Sequence, residues 1–270
     1  MNKKEFIAKN AGKDKLQGRP IRLNRFELIT KKDYAEFIAW GDVHYGHPQC
    51  KEEKAQEMLN WALKTQTPII VMGDMLESGL IGSVGDSVYQ QRLNPQEQME
   101  DMVKMLQPLA DSNLIIGLHS GNHEQRITKA TGIDITKIMA KLLKVPYLGY
   151  ACWSLITVGK QKYSCFSQHS SGGSRFKHTK LKKIIDQMAW LRADLLLAGH
   201  HHSLDSNRTT IQEIDFRNRT VKEKKCYVVL TGSFIGWDIS YAQAAAFPPC
   251  EIGSPKIKLF STKRKIKISL

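Results

Sequence analysis

Seven of the nine histidines in this chain of 270 residues fall in or beside five short patterns. These are Gly41-Asp42-Val43-His44, Gly73-Asp74, Gly121-Asn122-His123-Glu124, His169 and Gly199-His200-His201-His202. Asp42, His44, Asp74, Asn122, His169, His200 and His202 offer only carboxylate, imidazole and amide donors, a set that suits manganese, iron or zinc. Two divalent ions held close together form a clamp for in-line attack on phosphorus, and water held between them ionises near neutral pH. A histidine left free of metal has a pKa suited to an acid. Any one of these residues alone is weak evidence, since a lone histidine after a strand is more often structural. The ordered set is what points to a two-metal site.

Four of the patterns follow apolar runs that read as buried strands: 36–40, 68–72, 114–118 and 193–198. Ligand sites gather at such carboxyl ends in open α/β sheets. Asp42 and His44 are one residue apart, so an extended segment would point both side chains the same way, and His200 and His202 repeat the spacing. A glycine before Asp42, Asp74, Asn122 and His200 lets the chain turn sharply and approach an ion.

The periodicity predicts a helix over about 52–64, with Ala55, Met58, Leu59 and Ala62 on one face. Asn94-Pro95-Gln96-Glu97 starts another, with Met99, Met102, Val103, Leu106 and Leu109 as its apolar stripe. Residues 20–41 read as two strands around Lys31-Lys32-Asp33, and 147–158 with 161–168 as a hairpin turning at Gly159-Lys160. Ser174 is the expected cap of a helix to about 190, and 226–231 a further strand after the polar 203–224 stretch. Strands alternating with helices predict α/β layering in a single domain. The loop 82–87 suits either a mobile substrate contact or a plain connection.

Net charge is +14, with basic residues crowding the first 32 positions, 175–183 and 256–267. A lopsided positive field draws polyanions, which marks nucleic acid as a candidate partner. The plainer reading is a solvated lysine surface. Five scattered cysteines (Cys50, Cys152, Cys165, Cys226, Cys250) without a Cys-x-x-Cys pair argue against a disulfide framework and a thiolate metal site. The polar N-terminus and the lack of a long apolar run predict a cytoplasmic protein without a membrane partner.

The order Asp-x-His, Gly-Asp, Gly-Asn-His-Glu, His, Gly-His-x-His resembles that of the calcineurin-like metallophosphoesterase superfamily, over about three fifths of the chain from Asp42 to His202. The resemblance implies a layered α/β/β/α sandwich formed by residues 1–270 as one domain, with its basic ends packed on it or flanking it. It implies one ion on Asp42, His44 and His202, another on Asn122, His169 and His200, and Asp74 bridging both. Manganese is the expected metal, with iron or zinc as alternatives. His123 would be the non-ligand histidine that protonates the leaving oxygen, after attack by a hydroxide between the ions. His169 lies in no motif of its own, and His178 is its only competitor. His47 is either a phosphate contact or a turn cap, and Arg126 either a phosphate contact or half of a surface salt bridge.

Protein phosphatases of this superfamily carry Asp-Arg-Gly after the Gly-Asp motif, where this chain has Met75-Leu76-Glu77-Ser78-Gly79 without that arginine, which argues against that branch. The Gly-Asn-His-Glu-x-Arg run and the basic balance look closer to SbcD-type DNA exonucleases and to phage and prophage metallophosphoesterases. The stretch after His202 is short for a separate capping domain. Three expectations follow: a phosphodiesterase acting on nucleic acid; a phosphatase or phosphodiesterase of nucleotides or other small esters; and a non-catalytic binding subunit, for which broken motifs would be expected.

Overall fold

The computed structural model describes residues 22–83, 87–237, 243, 246 and 248–270. The basic residues of the first 21 positions lie outside this range. Twelve strands form two six-stranded sheets among the described residues. One sheet runs β12 (Ile266–Ser269), β11 (Lys256–Phe260), β2 (Tyr34–Trp40), β3 (Ile69–Val71), β4 (Ile115–His119), β5 (Tyr147–Gly149). The other runs β1 (Arg22–Glu27), β6 (Ala151–Val158), β7 (Gln161–Gln168), β8 (Leu195–Ala198), β10 (Thr220–Thr231), β9 (Leu204–Asp215).

The layers follow from side-chain alternation. In β2, Phe37 and Ala39 face the second sheet, while Ile38 and Trp40 face helices. The inter-sheet core joins Phe37, Ala39, Ile70, Met72, Ile116 and Ile257 to Cys152, Ile156, Tyr163, Leu195, Leu197 and Val229. Outside the first sheet lie α1 (Glu52–Thr65), α3 (Pro95–Asp111) and α5 (Ile135–Leu142), contributing Leu59, Met102, Leu106 and Met139. Outside the second lies α6 (Lys177–Asp186) with the short 3-10 turn Gln187–Ala189, burying Ile184 and Met188. Helices therefore cover both faces of a two-sheet stack, an α/β/β/α sandwich.

α3 starts where Asn94 predicts. Its Oδ1 accepts from the Gln96 and Glu97 amides, and Glu97 accepts back from the Asn94 amide. Other elements depart from the sequence reading. β1 and β2 are not a hairpin, because β1 pairs in parallel with β6 in the other sheet. The run 147–158 is two strands: Gly149, at φ +70°, ends β5 in the first sheet and lets β6 begin in the second. Ser174 sits two residues before the N-cap position, which Phe176 occupies without a capping bond. The polar 203–224 stretch is β9 and the start of β10, an antiparallel hairpin at the sheet edge. Three short helices were not anticipated, α2 (Ser87–Gln90), α4 (Asn122–Thr131) and α5. α2 follows the 82–87 loop, of which only residues 82, 83 and 87 are described.

Candidate metal centre

Asp42 follows β2, Asp74 follows β3, Asn122 opens α4 after β4, His169 follows β7 and His200 follows β8. Both sheets thus deliver their strand ends to one place. Asp42, His44, Asp74 and His202 bring a donor atom each within 4.8 Å of one another, and so do Asp74, His169 and His200. Asp74 belongs to both groups.

The first group is tight. His44 Nε2 and His202 Nε2 are 3.0 Å apart, and His202 Nε2 is 3.5 Å from Asp42 Oδ1. In the second, Asn122 Oδ1 lies 2.7 Å from His200 Nδ1 and 3.0 Å from His169 Nε2. Asp74 Oδ2 stands between them, 3.1 Å from His169 Nε2 and 3.7 Å from His44 Nε2. Ligands about 2.0–2.2 Å from a common ion lie roughly 3–3.5 Å from each other. These separations therefore fit two adjacent coordination shells sharing one carboxylate, and the donor set fits manganese, iron or zinc.

The rings are oriented by what their other nitrogens touch. His44 Nδ1 is 3.2 Å from Glu77 Oε2, and His169 Nδ1 is 2.9 Å from the Met72 carbonyl. Donation there leaves each Nε2 lone pair facing the site, the arrangement a metal requires. Burial lowers His44 and His200 to about 4 and holds His202 well below the usual range, so these rings are neutral and able to ligate. Burial raises Asp42 to about 8, with the neighbouring Asp74 charge adding to the rise. Burial pulls His169 down, but the carboxylates of Asp74 and Asp42 outweigh it and hold that ring up at about 10. In the metal-free chain this proton balances the buried Asp74 carboxylate, and the ion pairs of Asp42 and Asp74 among the described residues are all with histidines.

The backbone here is strained. Asp42 (φ 51°), His44 (53°), Asp74 (46°), His200 (71°) and His202 (45°) all lie in the left-handed region. Such conformations in non-glycine residues concentrate at functional sites. The extended spacing expected for Asp-x-His and His-x-His is thus replaced by tight loops. They put Asp42 and His44 in one group, but send His200 and His202 to different ones. Glu124 secures these loops: its carboxylate accepts from the Asp74, Leu76 and Gly121 amides. A methyl group on Gly121 would overlap the Asp74 carboxylate, which explains the glycine at that place.

His123 lies at the rim. Its amide donates to Asp74 Oδ1 at 2.9 Å, its Nδ1 is 2.8 Å from the Glu77 carbonyl, and its Nε2 is 4.0 Å from Asp74 Oδ2. Burial lowers its pKa, but Asp74 and Glu77 outweigh that and raise it overall. Arg126 does form a salt bridge, with Glu77 Oε1 at 3.3 Å, but a largely buried one rather than one on the surface. Its guanidinium donates to the Glu77 carbonyl at 3.0 Å and lies 3.0 Å from His123 Nε2. His47 Nδ1 accepts from the Gln49 amide at 3.0 Å, capping its turn.

Glu77 was missed by the sequence reading. Burial raises its pKa, yet contacts with His123 and His44 outweigh this and keep it ionised. Its only sequence signal was an acid three residues after Asp74. His119, outside every pattern, is structural. It joins the sheets by pairing with the Gly149 carbonyl at 2.9 Å and Ser167 Oγ at 2.8 Å.

No protein-family model matches this sequence, and no curated protein matches it. Among solved structures, a hypothetical protein from Pyrococcus horikoshii OT3 is similar at 10% identity and TM-score 0.43, covering 87% of each chain. Zinc-complexed wild-type Vps29 from Entamoeba histolytica is similar at 14% identity and TM-score 0.37, covering 87% of this chain and 97% of its own. At such distances the chemistry has to be argued from this chain's own residues.

Proposed function

We propose that this protein is a two-metal phosphoesterase of the calcineurin-like type that hydrolyses phosphodiester bonds in nucleic acid. The observation that carries this reading is the convergence of seven donors from both sheets, five of them held at positive φ. Asp42, His44 and His202 would hold one ion, Asn122, His169 and His200 the other, and Asp74 both. When bound, the ions supply an activated water and offset charge on the phosphoryl oxygens.

The chain's own residues do the rest. Glu77 and the Met72 carbonyl keep His44 and His169 turned with Nε2 inward. The Glu77 carbonyl fixes His123 with Nε2 toward the site, where it can give a proton to the leaving oxygen. Arg126 donates to that nitrogen here, so the acid form of His123 would need the guanidinium to turn off Nε2, onto a phosphoryl oxygen. Nucleic acid as substrate is supported by the net charge of +14 and by the basic 175–183 stretch, which directly follows the loop after His169.

Hydrolysis of bis-p-nitrophenyl phosphate, with manganese and with EDTA, tests the reading. Turnover should require the metal and fall about 10²–10⁴-fold in His123→Ala with little change in bound metal. Absence of metal-dependent turnover of this ester and of p-nitrophenyl phosphate would overturn it.

A further inference from the structure

The loop after His169 ends in an aromatic side chain that does nothing for the fold. Phe176 is 65% exposed and belongs to none of the three core clusters. It occupies the N-cap of α6, where Ser, Thr, Asp or Asn would satisfy free amides, and makes no capping bond. Its backbone is nonetheless held, since its amide donates to Ser174 Oγ at 3.2 Å. Its ring stacks on His178, with centroids 5.5 Å apart and planes 27° from parallel. The result is a flat, solvent-facing aromatic surface.

Its position ties it to the metal centre. One turn further along α6, Lys180 Nζ donates to the His201 carbonyl at 2.8 Å and reaches Ser203 Oγ at 3.2 Å. Lys177 Nζ is 3.7 Å from Asp205, just past the same loop. Ser170 Oγ is 3.1 Å from His201 Nε2. The first turn of α6 therefore rests on the loop carrying His200 and His202. Basic residues neighbour the aromatic pair in sequence: Arg175, Lys177, Lys182 and Lys183, of which Lys177 pairs with Asp205, Lys182 pairs with Asp186 and Lys183 donates to the Ser171 carbonyl.

We infer that Phe176 and His178 form a base-stacking platform for single-stranded nucleic acid, flanked by lysines and an arginine for the backbone, beside the metal centre. An exposed ring next to cations suits an unpaired base, whereas bases inside a duplex present no free face. The inference rests on the proposed phosphodiesterase reading and names its substrate as single-stranded.

The test is binding of a fluorescein-labelled oligothymidine by anisotropy in EDTA, alongside manganese-dependent turnover of bis-p-nitrophenyl phosphate. Phe176→Ala and Phe176→Leu should weaken oligothymidine binding by about tenfold or more, and Phe176→Trp should retain it. Turnover of the small diester should be unchanged in all three, which also verifies their folding. Phe216, 86% exposed at the tip of the β9–β10 hairpin, is the control. Twelve residues of β9 separate that tip from the metal loop, about 40 Å of strand. Phe216→Ala should bind as wild type does. Unchanged binding in Phe176→Ala, or an equal loss in Phe216→Ala, would overturn the platform. Loss of small-diester turnover in the wild type would instead overturn the phosphodiesterase reading.

Discussion

The four-residue strand β8 has a buried aspartate at one end and a metal loop at the other, and the two ends treat negative charge in opposite ways. At the amino end Asp194 accepts from the Ser164 amide at 2.7 Å and Ser164 Oγ at 2.8 Å, and pairs with Arg264 at 2.7 Å and Lys224 at 3.6 Å. Burial raises its pKa, but these bonds and cations outweigh that and hold it low. At the carboxyl end Asp42 accepts the His200 amide at 2.9 Å, and its ion-pair partner is His202. There burial wins, and the carboxyl rises to about 8. A buried carboxylate with cations fixed in the chain is a fastener. One given only histidines and strained loops has no fixed cation beside it, the arrangement a bound metal ion would complete.

Removing charge at the two ends should therefore have opposite consequences. Asp42→Asn should abolish metal-dependent ester hydrolysis, a loss of about 10³-fold or more, while leaving the melting temperature in EDTA unchanged or higher, because burial already holds this carboxyl at about 8. A lower melting temperature with activity retained would place Asp42 among the fasteners.

Glu77→Gln removes the charge behind His44 and His123 without removing a ligand. Metal affinity or turnover should fall about 10–100-fold, the usual effect of disturbing a group that orients a ligand. Wild-type behaviour in this variant would mean that ring orientation is set by packing alone.

Asp194→Asn should leave turnover within about twofold and lower stability by roughly 1–3 kcal/mol, because Arg264 and the Ser164 groups lose an ionised partner. Its folded pKa is depressed, so its stabilisation is present above the ordinary aspartate range and is lost as pH falls through the folded value. Urea midpoints of wild type and variant should converge on acidification below about pH 4. Midpoints that stay apart there would assign the loss to shape rather than charge.

The contrast between these ends was unevenly legible in the sequence. The ligand end announces itself, because Asp42, Asp74, Asn122 and His200 each follow a glycine at the end of an apolar strand. α3 was equally clear from Asn94-Pro95-Gln96-Glu97, since capping chemistry is local. What failed was whatever depends on distant partners. Glu77 gains its role only when the chain brings it to His44 and His123, 33 and 46 residues away. Asp194 meets Arg264 across 70 residues. Ser174 looked like a helix cap, but the helix starts later, where Lys180 can reach the His201 carbonyl. The spacing of Asp42 and His44 implied an extended segment, whereas the close approach of two loops imposes left-handed turns.

Calorimetric titration of the EDTA-stripped chain with manganese tests the central claim most directly. Two ions should bind per chain, with protons released, because His169 at about 10 must shed its proton to ligate. Its raised pKa stabilises the metal-free fold below the ordinary histidine value and loses that effect as pH rises toward 10, so affinity should increase with pH. Asp74→Asn should lose both ions or bind them far more weakly, and Asp194→Asn should bind as wild type does. No binding, or binding unchanged by Asp74→Asn, would contradict the account.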